Sequence, residues 1–96
     1  MKVIFRSAAE HDLDRIFEWI AKDDPRAAHS IVDRIIERIS LLELDALAHM
    51  GRLGLVRGTR ELLEYPYIIV YQVFEERGEI AVLAILHGSR DRQGRK

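Results

Sequence analysis

The chain has 96 residues, 48% apolar and 32% charged, with a net charge of −1 and no cysteine. That is enough for one folded domain over residues 1–96, and it excludes a disordered chain, a strongly basic nucleic-acid binder, disulfides and thiolate metal sites. Charges interrupt the first twelve positions (MKVIFRSAAEHD) and no run approaches about 18 apolar residues, so neither a cleaved signal nor a membrane span is expected and the chain reads as a small soluble cytoplasmic domain.

Residues 2–6 (KVIFR) form a short apolar run and read as a first strand. Ser7-Ala8-Ala9-Glu10 matches a capping box, in which the Ser7 hydroxyl accepts from an orphan amide and Glu10 reaches back. Behind it Ala9, Leu13, Ile16, Phe17 and Ile20 recur at helical spacing. Asp23-Asp24-Pro25 stops that helix and starts another, with Asp24 as N-cap and Pro25 at the first helical position. The second helix carries a stripe of Ala28, Val32, Ile35, Ile39, Leu42 and Ala46, with Ile31 and Ile36 on its shoulders. So short a turn between two helices implies an antiparallel hairpin. Leu41 and Leu44 fall off the stripe, so either the helix ends early or its last turns meet something else.

After Gly51 the pattern turns extended. Residues 54–58 (GLVRG) and 60–64 (RELLE) read as short strands, and Pro66 marks a turn with Tyr65 held extended before it. Residues 67–74 (YIIVYQVF) and 79–87 (EIAVLAILH) are rich in β-branched and aromatic residues and read as an antiparallel hairpin. The expected fold is therefore α+β: an N-terminal strand, then an antiparallel helical hairpin packed on one face of a three- to four-stranded, mainly antiparallel sheet.

Both hairpin strands are apolar at odd and even positions alike, which calls for cover on both faces. One helical hairpin covers one face. The other face is expected to stay apolar and open, and such a surface marks a protein partner.

The chemistry-bearing residues are few. His11 and His29 lie on helices among charged or small residues, and His49 lies in the break after the second helix. His87 ends the last strand; it is either a general acid/base or a structural ring that caps the sheet. No histidine spacing or acidic loop supports a metal, and no phosphate loop or Gly-x-Ser-x-Gly elbow is present, so no cofactor is expected. The charge is uneven: residues 1–51 hold 7 basic against 10 acidic side chains, and residues 52–96 hold 8 against 6. Arg52, Arg57 and Arg60 flank the first late strands and Arg90 and Arg92 follow the last. They form either a cluster for phosphate or acidic protein, or solubilising edges paired with Glu61, Glu64 or Asp91.

An ordered series of short pieces resembles the RelE/ParE toxin superfamily: Gly51-Arg52-x-Gly54-x-Val56-Arg57-Gly58-Thr59-Arg60-Glu61-Leu62, then Tyr65-Pro66-Tyr67-Ile68-Ile69-Val70-Tyr71, then Ile85-Leu86-His87-Gly88-x-Arg90-Asp91. The start, a strand and then a helix, is similar too. The resemblance implies the toxin of a type II toxin–antitoxin module, held inactive by a segment of a co-encoded antitoxin that folds on binding. It implies antitoxin contacts at Ile16, Trp19, Ile36, Tyr65, Tyr71 and Phe74, with Trp19 and Ile36 lining one groove. The superfamily holds ribosome-dependent mRNA endoribonucleases of RelE type and gyrase-poisoning toxins of ParE type. No tyrosine follows Tyr71, and the ending Ile-Leu-His-Gly-Ser-Arg-Asp is more similar to ParE. The expectation is a ParE-like, non-enzymatic toxin acting on DNA gyrase through Arg60, Arg90 and Arg92. Its partner is then a ParD-like ribbon-helix-helix antitoxin, with no membrane and no sequence-specific DNA binding of its own. The alternatives are a nuclease using Arg52, Arg57, Arg60, His87 and Arg90, and a non-toxic remnant that only binds its partner.

Overall fold

A computed structural model describes residues 1–89, so Arg90 and Arg92, two of the expected target contacts, lie outside the described residues. Strand β1 (Lys2–Phe5) leads into α1 (Ser7–Ala21) and α2 (Pro25–Ser40); then come β2 (Arg52–Leu53), β3 (Arg60–Glu64), β4 (Tyr67–Phe74) and β5 (Glu79–His87). The sheet has five strands in the order β1-β5-β4-β3-β2, one or two more than expected, because β1 joins it as a parallel neighbour of β5. All other pairings are antiparallel.

The boundary between β1 and α1 is set by the sheet. The Arg6 amide still donates to Val82 O in the ladder with β5, while the Arg6 carbonyl already accepts from Ala9 and Glu10. Arg6 is thus the N-cap and Ser7 the first helical residue, so the capping box does not form. At α2 the expectation holds: Asp24 caps through its side chain, accepting from the Ala27 amide at 3.1 Å, with Pro25 following. The helix does end early, at Ser40, and two 3₁₀ turns (Leu41–Glu43, Asp45–Leu47) replace its last turns. Leu42 stays buried, whereas Ala46 is exposed and Leu44 stands 58% exposed.

The helices cover one face. Ala9, Ile16, Ile35, Ile39 and Leu42 pack with Leu62, Ile69, Tyr71, Ile80, Val82 and Ile85 into a single cluster. A register shift at Val70/Tyr71 lets β4 and β5 both keep their large side chains on this face. Gly78, with φ +61, closes the hairpin between them, a left-handed position that suits glycine.

The opposite face is better hidden than the pattern implied. Ile68, Ala81 and Leu86 lie outside the helix-side cluster and are still buried. Residues 54–58 form no strand; they make a turn whose Leu55 and Val56, with Thr59, line a cavity of about 220 Å³ together with Val70, Leu83, Ala84 and Leu86. The apolar burden is thereby moved onto β2 and that turn, where Leu53, Leu55 and Val56 are 78%, 80% and 67% exposed.

Past Arg6 no described strand pairs with β5 on the β1 side, and there the Asp12 carboxylate on α1 accepts from the Ile85 amide at 2.9 Å. Removing that carboxylate strands a half-buried amide. Asp12→Ala is expected to cost about 1–2 kcal/mol and Ile35→Ala about 3 kcal/mol in urea unfolding, with unchanged m-values.

Candidate functional site

Among the described residues, Arg52 and Arg60 of the expected reaction site neighbour one another at the β2–β3 ladder, and His87 does not join them. Arg60 is half-buried, and its guanidinium donates to His49 O at 3.1 Å and Gly51 O at 2.8 Å. The Gly51 amide in turn donates to the Tyr71 hydroxyl at 2.9 Å, in the interior. A Cβ on Gly51 would sit 2.8 Å from both that hydroxyl and Glu61 O, so the approach requires glycine. Burial pushes the Tyr71 phenol above its ordinary value of 10.0, against the smaller lowering effects of the Gly51 hydrogen bond and the Arg60 charge. These three residues form a structural knot that ties the segment before β2 to the centre of the sheet.

Arg52 bonds the buried Glu61 carboxylate at 3.3 Å, one of the edge pairings the sequence left open. Glu61 also accepts from the Leu55 amide at 3.4 Å, holding the exposed turn against the sheet. Arg57 stands exposed on that turn. His87 is at the other end: it faces Tyr67 across the β4–β5 ladder, whereas Arg60 faces Tyr71. Four residues of β4 separate these positions, about 13 Å at ~3.3 Å per residue. The His87 ring packs edge-on against Tyr67, with centroids 5.5 Å apart, and its Nδ1 lies 3.2 Å from the Ser89 hydroxyl. Of the nuclease set, the described members are thus divided between two ends of the sheet, and Arg60 is engaged in the fold.

The expected antitoxin contacts divide as well. Ile16 and Tyr71 are core residues, 7% and 0% exposed, and so support a surface from beneath instead of forming it. Phe74 is half-buried under the Arg77 guanidinium, 4.3 Å from the ring centroid. Trp19, Ile36 and Tyr65 are exposed at 60%, 43% and 82%. Tyr65 sits at the β3–β4 turn, before the cis bond to Pro66.

Trp19 and Ile36 do not share a groove. Ile36 lies in a concavity of about 530 Å³ with Phe5, Ser7, Glu10, His11, Leu13 and Asp14. Trp19 follows Glu10 by nine residues, which at about 100° per residue places it on the opposite side of α1, under Lys22. The concavity beside Ile36 is not among the sites expected from the residues. Its signal was the polar set Ser7, Glu10, His11 and Asp14, spaced to line one side of α1 next to Leu13, which passes for an ordinary solvated face.

A family model described as the ParE toxin of the type II toxin–antitoxin system parDE matches residues 3–92. The chain belongs to the ParE toxin family. It is 39% identical over 80 residues to a candidate toxin, Y4kP of Sinorhizobium fredii, covering 78% of this chain and 75% of that one. Among solved structures it is similar to a chain of the chromosomal ParDE system from P. aeruginosa, with a TM-score of 0.78 and 30% identity over 91% of this chain and 95% of that one. A chain of the RelBE2 toxin–antitoxin complex from Mycobacterium tuberculosis shares the fold, with a TM-score of 0.56 and 22% identity over 90% and 95% of the two chains. This chain is thus a ParE-like toxin of a type II toxin–antitoxin system, and the structural knot and the concavity are features of that toxin.

The raised Tyr71 phenol has a consequence for stability. Its contribution is complete below the unfolded value of 10.0 and is lost as pH rises through the higher folded value. Tyr71→Phe is expected to cost about 1–3 kcal/mol at neutral pH, because the Gly51 amide loses its acceptor. Thermal melts of the variant should also show a shallower fall in stability above pH 10 than the parent protein.

Proposed function

We propose that this toxin inhibits DNA gyrase in the cytoplasm without cleaving RNA, and that a ParD-like antitoxin of ribbon-helix-helix type neutralises it. The observation that carries the non-nuclease reading is the separation of His87 from Arg52 and Arg60, with Arg60 bonded to two carbonyls of its own chain. A ribose-activating site needs a base and cations converging on one phosphate. The match to a chain of a ParDE system supports the same side of the superfamily.

The antitoxin reading is supported by large apolar side chains left in water: Trp19, Ile36 and Tyr65 from the expected contacts, and Leu53 on β2 with Leu55 and Val56 on the turn after it. Apolar surface of this kind favours burial by about 25 cal/mol per Å². Of the target contacts in this reading, Arg60 is bonded to two backbone carbonyls and Arg90 and Arg92 lie outside the described residues; Arg57 stands exposed on the turn before β3.

Expressed without its antitoxin, the protein is expected to arrest growth, and the purified toxin to inhibit supercoiling by gyrase. His87→Ala should leave both effects within about twofold. Unimpaired growth would make the chain a binding remnant. Codon-dependent cleavage of ribosome-bound mRNA, lost in His87→Ala, would make it a nuclease.

A further inference from the structure

The concavity on the β1 side of the helical hairpin is apolar at its floor and negative at its rim. Phe5, Leu13 and Ile36 form the floor, and a smaller concavity of about 180 Å³ continues it through Phe5 and Ile36 to Val3 and Ile39. Glu10 and Asp14, one helical turn apart on α1, stand along one wall, and Glu43 stands at the far end. Among the described residues no lysine or arginine lines either part, and His11 lines the larger one. Among the described residues Glu10, Asp14 and Glu43, like several other surface carboxylates, form no ion pair. The Met1 ammonium, close by, is taken by Glu43 O and the Asp45 carboxylate, both at 2.7 Å.

We propose that this trough receives an amphipathic segment of the antitoxin, whose apolar side chains fill the floor and whose lysines or arginines pair with Glu10, Asp14 and Glu43. The proposal rests on the antitoxin reading above and adds what selects the partner. An apolar floor alone accepts many segments, and three carboxylates around it disfavour acidic ones and favour basic ones. The same charges argue against a second copy of this chain. An isologous contact over the trough would bring like carboxylates face to face.

The test uses the protein encoded by the reading frame adjacent to this one, purified and titrated against the toxin by calorimetry at low and moderate salt. The triple variant Glu10→Gln/Asp14→Asn/Glu43→Gln removes the charge while keeping shape, and its melting curve verifies the fold. The expected result is about tenfold weaker binding at low salt and a flattened salt dependence, with Glu76→Gln, on the β4–β5 turn, unchanged. If the triple variant binds with the parent affinity and salt slope, the charge proposal is overturned and the antitoxin reading stands. If the adjacent-frame protein binds neither form, both are overturned.

Discussion

The Gly51 amide reaches the Tyr71 hydroxyl across 20 residues of sequence, and the second half of the toxin is arranged around that bond. Two buried polar groups satisfy one another there, and Arg60 closes the arrangement by donating to the carbonyls of His49 and Gly51. Left unpaired, each group would cost about 1–3 kcal/mol. The pairing fixes where the chain enters β2 and therefore where the turn after it falls. That turn is then held by Glu61, which bonds both Arg52 and the Leu55 amide.

This constraint also decides what the chemistry-bearing side chains do. Arg60 and Tyr71 are residue types expected at a nucleic-acid or catalytic site, yet here they hold the fold. Arg60 and Tyr71 are engaged with Gly51, His87 lies at the end of β5, and the described part of the chain also offers two surfaces. One surface is the apolar turn carrying Leu55, Val56 and Arg57 over the face that the helices leave open. The other is the acid-rimmed trough beside β1 and the helical hairpin, lined by Phe5 at the end of β1 and by residues of α1 and α2.

Much of this was legible in the residues. The late hairpin was read to its boundaries because its β-branched and aromatic run is bounded by Pro66 and by the Glu75–Gly78 turn. Asp24-Pro25 was readable because a side-chain cap is a local event. The failures were tertiary. Ser7 and Glu10 had the spacing of a capping box, but the ladder to Val82 holds Arg6 at the cap position. Residues 54–58 looked extended, but the Glu61 carboxylate and the Thr59 hydroxyl, which donates to Val56 O, fold them into a turn. The site was less legible than the fold. Trp19 and Ile36 are both exposed apolar residues, and only helix geometry shows that they face different ways.

The central claim is that the bond from Gly51 to Tyr71 is a fixed part of the folded toxin, and amide hydrogen exchange at Gly51 tests it most directly. A buried amide tied to the sheet centre exchanges only when the whole domain opens, so its protection should match that of Ile69 and Val82 in the core. Exchange of Gly51 as fast as that of the exposed Arg57 amide would contradict the account, because Arg60 would then be free to act elsewhere.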